Sequence, residues 1–168
     1  RCSRDWSSDV CSSDLGSREA VPHTVRHDVN RGFAAACNTG AAQTTAGLLV
    51  FLNNDTLPQP GWLDALIAYA QRHTEAGIVG ARLLYPDQTL QHAGMVFNHD
   101  LFPVHVYAGL PASHPPALVS RRVQSVTGAC MLVRREVFDA AGGFDTGYRN
   151  GYEDVELCAR AASLGYEV

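Results

Sequence analysis

Two short stretches carry residue types that could do chemistry. In Leu52-Asn53-Asn54-Asp55-Thr56 a carboxylate and amide oxygens follow directly on the apolar run Leu48–Leu52. Hard cations such as Mg²⁺ or Mn²⁺ want oxygen ligands and keep positions open for substrate phosphates. One carboxylate, Asp55, with an amide or a water beside it, is therefore sufficient protein input. The same residues also suit a plain polar turn. In Asn150-Gly151-Tyr152-Glu153-Asp154-Val155-Glu156 a glycine leads into carboxylates at the start of a helical pattern. A helix N-terminus stabilises anions, so these carboxylates can be charged and act as bases, although capping alone asks for the same residue types. Asp55 and Asp154 are 99 residues apart, so only the fold could bring them to one cleft.

The elements that must position these residues follow from periodicity. Gly32 to Thr45 is Ala-rich with apolar residues at helical intervals, and Asn30 suits its N-cap. Leu48–Leu52 has the pattern of a strand buried on both faces. Leu63, Leu66, Ile67 and Ala70 make one stripe on a helix that follows Pro58 and Pro60 and closes near His73. Ile78 to Tyr85 and Thr89 to Phe97 read as extended segments around a Pro86-Asp87 turn. Asn98 to Arg122, with four Pro and three His, reads as a long loop in which His99, His105 and His114 are solvated and have no role. Val123 to Val133 returns to strand, interrupted at Thr127-Gly128-Ala129. Arg135 to Ala141 is a short helix, and Glu153 to Leu164 is a helix with Leu157, Ala161 and Leu164 on one face, stopped at Gly165. Strand–helix–strand order implies an α/β fold with a mainly parallel sheet.

Composition narrows the function classes. The 168 residues suffice for one domain with a core. A net charge of −4 lacks the basic excess that phosphate backbones attract, which argues against nucleic acid as a partner. All 13 positive charges are Arg, so chemistry that needs a lysine amine is excluded. Five Cys without a CxxC pair indicate neither a zinc knuckle nor a disulfide framework and fit a reducing cytoplasm. The longest aliphatic run is far too short to span a bilayer. Residues 1–16, with the near-repeat Trp6–Val10 and Cys11–Leu15, are dense in Ser and Asp and read as a non-native or disordered leader, leaving 17–168 as the domain.

Taken together, the motifs resemble family 2 glycosyltransferases. They are Asn30-Arg31-Gly32-Phe33 leading to Asn38-Thr39-Gly40, Phe51 to Thr56, Val79-Gly80, Gln91-His92-Ala93-Gly94, Gly128 to Arg134, Gly142-Gly143-Phe144-Asp145 and Tyr152 to Leu157. The resemblance implies a GT-A fold, a Rossmann-like nucleotide-diphospho-sugar transferase domain. It also implies an inverting transfer from a nucleotide-sugar donor to a glycan, glycolipid or polysaccharide acceptor, with Mn²⁺ or Mg²⁺ as cofactor. Carried over by position, Asp55 is the metal ligand and Asn53 contacts the donor or a metal-bound water. Asp154 is the general base and Glu153 assists or orients the acceptor. Asn30, Gly32 and Asn38 lie near the donor nucleotide, and His92, Gly128 and Ala129 lie near the acceptor. The strand and acidic motif that open such domains have no match before Asn30, so the chain reads as a piece of a longer protein that is inactive alone. The resemblance further implies a bacterial envelope pathway and a cytoplasmic enzyme, soluble or peripheral at the inner face of the plasma membrane. The alternatives are a non-catalytic carbohydrate-binding descendant and a sugar-nucleotide nucleotidyltransferase, the latter disfavoured by the missing Lys and Gly-rich phosphate loop.

Overall fold

The computed structural model describes residues 10–12, 23–148 and 151–168. Most of the leader set aside above lies outside the described residues; its described part, β1 (Val10–Ser12), pairs antiparallel with β2 (His23–Val25). Helix α1 (Gly32–Ala41) follows. Arg31 takes its N-cap position, and Asn30, one residue earlier, accepts the Gly32 N–H at 2.9 Å through its side-chain oxygen. That bond satisfies one of the donors a helix start leaves unpaired.

Strand β3 (Leu48–Leu52) leads through a Pro-containing loop to α2 (Trp62–Arg72), which returns the chain to β4 (Ile78–Gly80). Two short antiparallel pairs come next: β5 (Leu83–Leu84) with β6 (Leu90–His92), and β7 (Met95–Phe97) with β8 (Pro103–His105). Gly94 between β6 and β7 has a φ of +103°, and a Cβ there would stand 2.4 Å from Val123 Cγ1, so both conformation and space call for glycine. Strand β9 (Cys130–Arg134), α3 (Arg135–Ala141) and α4 (Glu153–Ser163) complete the order.

β9 lies between β3 and β4 and runs antiparallel to both. This corrects the mainly parallel sheet expected from element order. β3 and β4 do run the same way across α2, but the slot between them is filled by a strand from the other end of the chain. Alternation then builds three layers, because successive residues of a strand face opposite sides. Leu49, Phe51, Met131 and Val133 meet α1, α3 and α4 in one core, whereas Cys130 and Leu132 meet Leu66 and Ala70 of α2 in the other. β3 is thus covered on both sides, as its unbroken apolar run requires. Phe33, Phe51, Phe138 and Phe144 form the aromatic centre of the first core, with ring centroids 4.9–5.7 Å apart and mostly edge-on.

The span 98–122 is not the featureless loop its prolines suggested. It contains β8 and a 3₁₀ turn at Pro115–Leu118. Its backbone is tied to β6 by Leu90 N–H to Leu110 O at 2.7 Å and Gly109 N–H to Leu90 O at 2.8 Å. Hairpin pairing and tertiary hydrogen bonds override a composition with no period. In α4 the helix closes at Ser163, so Leu164 sits at the C-cap and is exposed rather than on the buried face with Leu157 and Ala161.

Candidate active site

The ends of four segments converge on one cavity of about 200 Å³. Asn53 comes from the C-terminal edge of β3, and Thr127, Gly128 and Ala129 form the turn that enters β9. Asn30, Gly32 and Phe33 come from the start of α1, and Gly151, Glu153 and Asp154 from the start of α4. Two helix N-termini therefore open on the same space, which favours negative charge there. The β3 edge and the β9 turn are locked together by Asn53 N–H donating to Ala129 O at 2.9 Å.

Asp154 is held at both oxygens. Oδ2 accepts the Gly128 N–H and Oδ1 the Val155 N–H, each at 2.8 Å. A Cβ on Gly128 would stand 3.1 Å from Phe33 Cζ, a tight contact, and 3.5 Å from Asp154 Cβ, so glycine keeps the turn close to both. The turn passes closely between the Phe33 ring and Asp154.

Glu153 is 8% exposed, and its Oε2 has no hydrogen-bond partner. Burial raises its carboxyl above the ordinary range and the neighbouring Asp154 charge adds to this, while the backbone N–H groups of Glu153 and Gly151 oppose it. An unpartnered buried oxygen on a cavity wall is a place for a ligand hydroxyl.

The structure separates the remaining candidates. Asn30, Gly32, Asn53, Gly128 and Ala129 line the cavity with Glu153 and Asp154. Asn38 does not. Its amide donates to Phe144 O at 2.8 Å and accepts the Phe144 N–H at 2.9 Å, tying α1 to the segment after α3. Both ends of the amide are thus engaged by backbone, away from the cavity. Asp55 is exposed on the turn closed by Thr56 N–H and Oγ1 on Asn53 O, and it is not among the residues lining the cavity. Among the described residues no group of three His, Cys, Asp or Glu side chains stands together to hold a metal.

His92 is also off the cavity wall. It is 1% exposed, its Nδ1 is 2.8 Å from His105 Nδ1, and its Nε2 accepts the Thr127 N–H at 3.4 Å. His105 is exposed, as its Pro-rich surroundings led one to expect, but its Nδ1 meets His92, and no local sequence signal pairs positions 92 and 105. Phe33 and Thr127, which also line the cavity, escaped the residue-by-residue reading, although Phe33 stands in the motif around Gly32. Cys37, Cys130 and Cys158 are free thiols whose pKa burial raises to about 12, 11 and 11, so none is a nucleophile near neutral pH. Among the described residues no helix is long and apolar enough to cross a membrane.

Known proteins are similar to this chain in sequence. The chain is 42% identical over 154 residues to the O-antigen biosynthesis protein RfbC of Myxococcus xanthus, covering 88% of this chain and 12% of that one. It is 30% identical over 156 residues to the pre-mycofactocin glycosyltransferase of Mycobacterium tuberculosis, covering 93% of this chain and 32% of the relative. It is also 30% identical over 189 aligned positions to that organism's N-acetylglucosaminyl-diphospho-decaprenol L-rhamnosyltransferase, covering 94% and 62%. The chain thus spans less than two thirds of these relatives. The sequence model of glycosyl transferase family 2 matches residues 2–142. With this family match over most of its length and an α/β fold, the chain belongs to the family 2 glycosyltransferases and carries their GT-A fold.

Proposed function

We propose that this chain provides the catalytic region of an inverting glycosyltransferase that moves a sugar from a nucleoside-diphosphate donor to a hydroxyl of a glycan or lipid-linked acceptor. The observation that carries the reading is Asp154, fixed at both oxygens on the wall of a cavity shared with Asn30, Gly32 and Asn53. In this reaction Asp154 takes the proton of the acceptor hydroxyl. That oxygen attacks the anomeric carbon from the side opposite the diphosphate, the bond from carbon to the diphosphate oxygen breaks, and the configuration inverts. Glu153 orients the acceptor through its unpartnered Oε2. Gly32 opens the first turn of α1 to the donor, with the helix N-terminus favouring its negative charge, and Asn53 offers an amide from the β3 edge.

Asp55 and Asn53 present hard oxygen atoms on a single turn, a set that fits a divalent ion held jointly with the donor diphosphate rather than by protein alone. Such an ion, when bound, neutralises charge on the departing diphosphate. The names of the relatives, one in O-antigen biosynthesis and one acting on a decaprenol-linked sugar, support a bacterial envelope acceptor.

The test is product analysis with the protein that carries this chain. Release of nucleoside diphosphate with an inverted linkage supports the reading, and release of pyrophosphate would indicate nucleotidyl transfer instead. Asp154→Asn should lower kcat by about 10² to 10⁴ with donor affinity retained. Turnover unaffected by that substitution would leave a non-catalytic descendant as the better account.

A further inference from the structure

Behind the Thr127–Ala129 turn lies a pair of histidines on two neighbouring hairpins, His92 at the end of β6 and His105 at the end of β8. Their ring centroids are 5.0 Å apart with planes at 80°, so the short contact is edge-on through the two Nδ1 atoms. The proton positions follow from the partners. A backbone N–H can only donate, so the Thr127 N–H requires a bare lone pair on His92 Nε2. The proton of neutral His92 is then on Nδ1, and it is donated to His105 Nδ1, which must also be bare. His105 in turn carries its proton on Nε2. A second proton on either ring would set N–H against N–H, at the His105 contact or at the Thr127 amide.

We propose that His92 and His105 are positioning residues that hold the Thr127–Ala129 turn, and through the Gly128 N–H the Asp154 carboxylate, in the geometry for proton transfer. The connection is continuous: His105 Nδ1 fixes the His92 ring, His92 Nε2 fixes the Thr127 amide, and the next residue's amide donates to Asp154 Oδ2 at 2.8 Å. Burial on this scale makes the ring a rigid support. It also lowers the pKa of His92 to about 3, with His105 adding to the effect, so the acceptor on Nε2 persists across the physiological range. Burial lowers His105 as well, opposed by the nearby Asp154 charge from α4. The geometry keeps one proton in the shared contact. The role in catalysis rests on the reading of Asp154 as the base, but the role in holding the turn does not.

Two kinds of measurement on the full protein separate these layers. Imidazole ¹⁵N spectra should show His92 protonated on Nδ1 and bare on Nε2 at pH 7 and still so near pH 4. An Nε2–H tautomer or a charged ring at pH 7 would overturn the proposal. His92→Leu should cut the hydrogen-exchange protection of the Gly128 amide by about tenfold, the scale of one hydrogen bond. It should lower kcat by a similar factor without raising the donor KM. His92→Gln, whose amide can donate to His105 and accept from Thr127, should restore both. If His92→Leu does not fold, His105→Ala removes the partner from an exposed position and should release the His92 tautomer and lower kcat in the same direction. Unchanged Gly128 protection, or unchanged kcat in a protein that does transfer sugar, sinks the positioning role. A wild-type protein that transfers no sugar overturns the functional reading and leaves the tautomer and the Gly128 amide to decide the proposal on their own.

Discussion

Glu153 and Asp154 are consecutive residues with opposite environments. Asp154 has two backbone donors, whereas Glu153 is turned into the fold with one oxygen unpartnered. Burial raises the Glu153 carboxyl, so the folded chain holds this proton to higher pH than the unfolded chain does. The resulting stabilisation is complete below the ordinary value of 4.5 and is lost as pH rises through the higher folded value. Above the ordinary carboxyl range the buried Glu153 is therefore a cost to the fold. Glu153→Gln should therefore raise the melting temperature at pH 7.5, with the gain shrinking below pH 4.5, and it should impair acceptor use. Thermal melts at the two pH values check the sign; equal shifts at both would show that the carboxyl is not held as described. A site that raises its own stability cost is the usual compromise between activity and stability. The pairing of carboxylates at a helix start was legible from sequence. The difference between the two was not, because it depends on which one the β9 turn reaches.

At the scale of elements, the absence of Lys acquires a structural meaning. Three arginines close the C-terminal ends of three helices, whose last carbonyls lack partners within the helix. Arg135 donates to Ala41 O at 2.9 Å and Thr44 O at 2.8 Å beyond α1, with Nε on Ala46 O at 3.3 Å. Arg134 serves Ala70 O, His73 O and Ala76 O around the end of α2. Arg160 reaches Ala141 O and Gly143 O at the end of α3 while paired with Glu156. A guanidinium fork can reach several carbonyls at once, and an ammonium cannot do so with the same geometry. Arg135→Ala should cost about 2–3 kcal/mol, seen as a fall in melting temperature of about 4–12 °C. Arg135→Lys should recover less than half of that. Full recovery by Lys would mean that positive charge alone suffices. The helices themselves were legible from apolar spacing, but their arginine locks were not, since each lock joins residues from 17 to 94 positions apart.

For the whole molecule the decisive contact is β9 inserted between β3 and β4. It brings the Thr127–Ala129 turn to the end of β3 and buries Phe51 against Phe138 and Phe144. Phe51→Ala should destabilise the fold by about 3–5 kcal/mol through lost burial and the cavity left behind. Because Phe51 lies two residues before Asn53 at the end of β3, the same variant should also lower donor affinity, read by denaturant unfolding alongside donor titration. A loss below about 1 kcal/mol would show that the aromatic centre repacks freely.

By itself the sequence determined the α/β class, the position of nearly every helix and central strand, and the two stretches from which the site is built. These follow from local quantities: apolar period, turn residues and the polar edge where a buried strand ends. Only the tertiary structure decided that β9 runs antiparallel between β3 and β4, that Asn38 is a structural clamp, and that His105 joins His92 behind the Asp154 turn. Each of these joins residues far apart in the chain through hydrogen bonds whose partners have no fixed spacing. Periodicity reports which face of an element is buried, and it carries no information about which distant residue will meet it there.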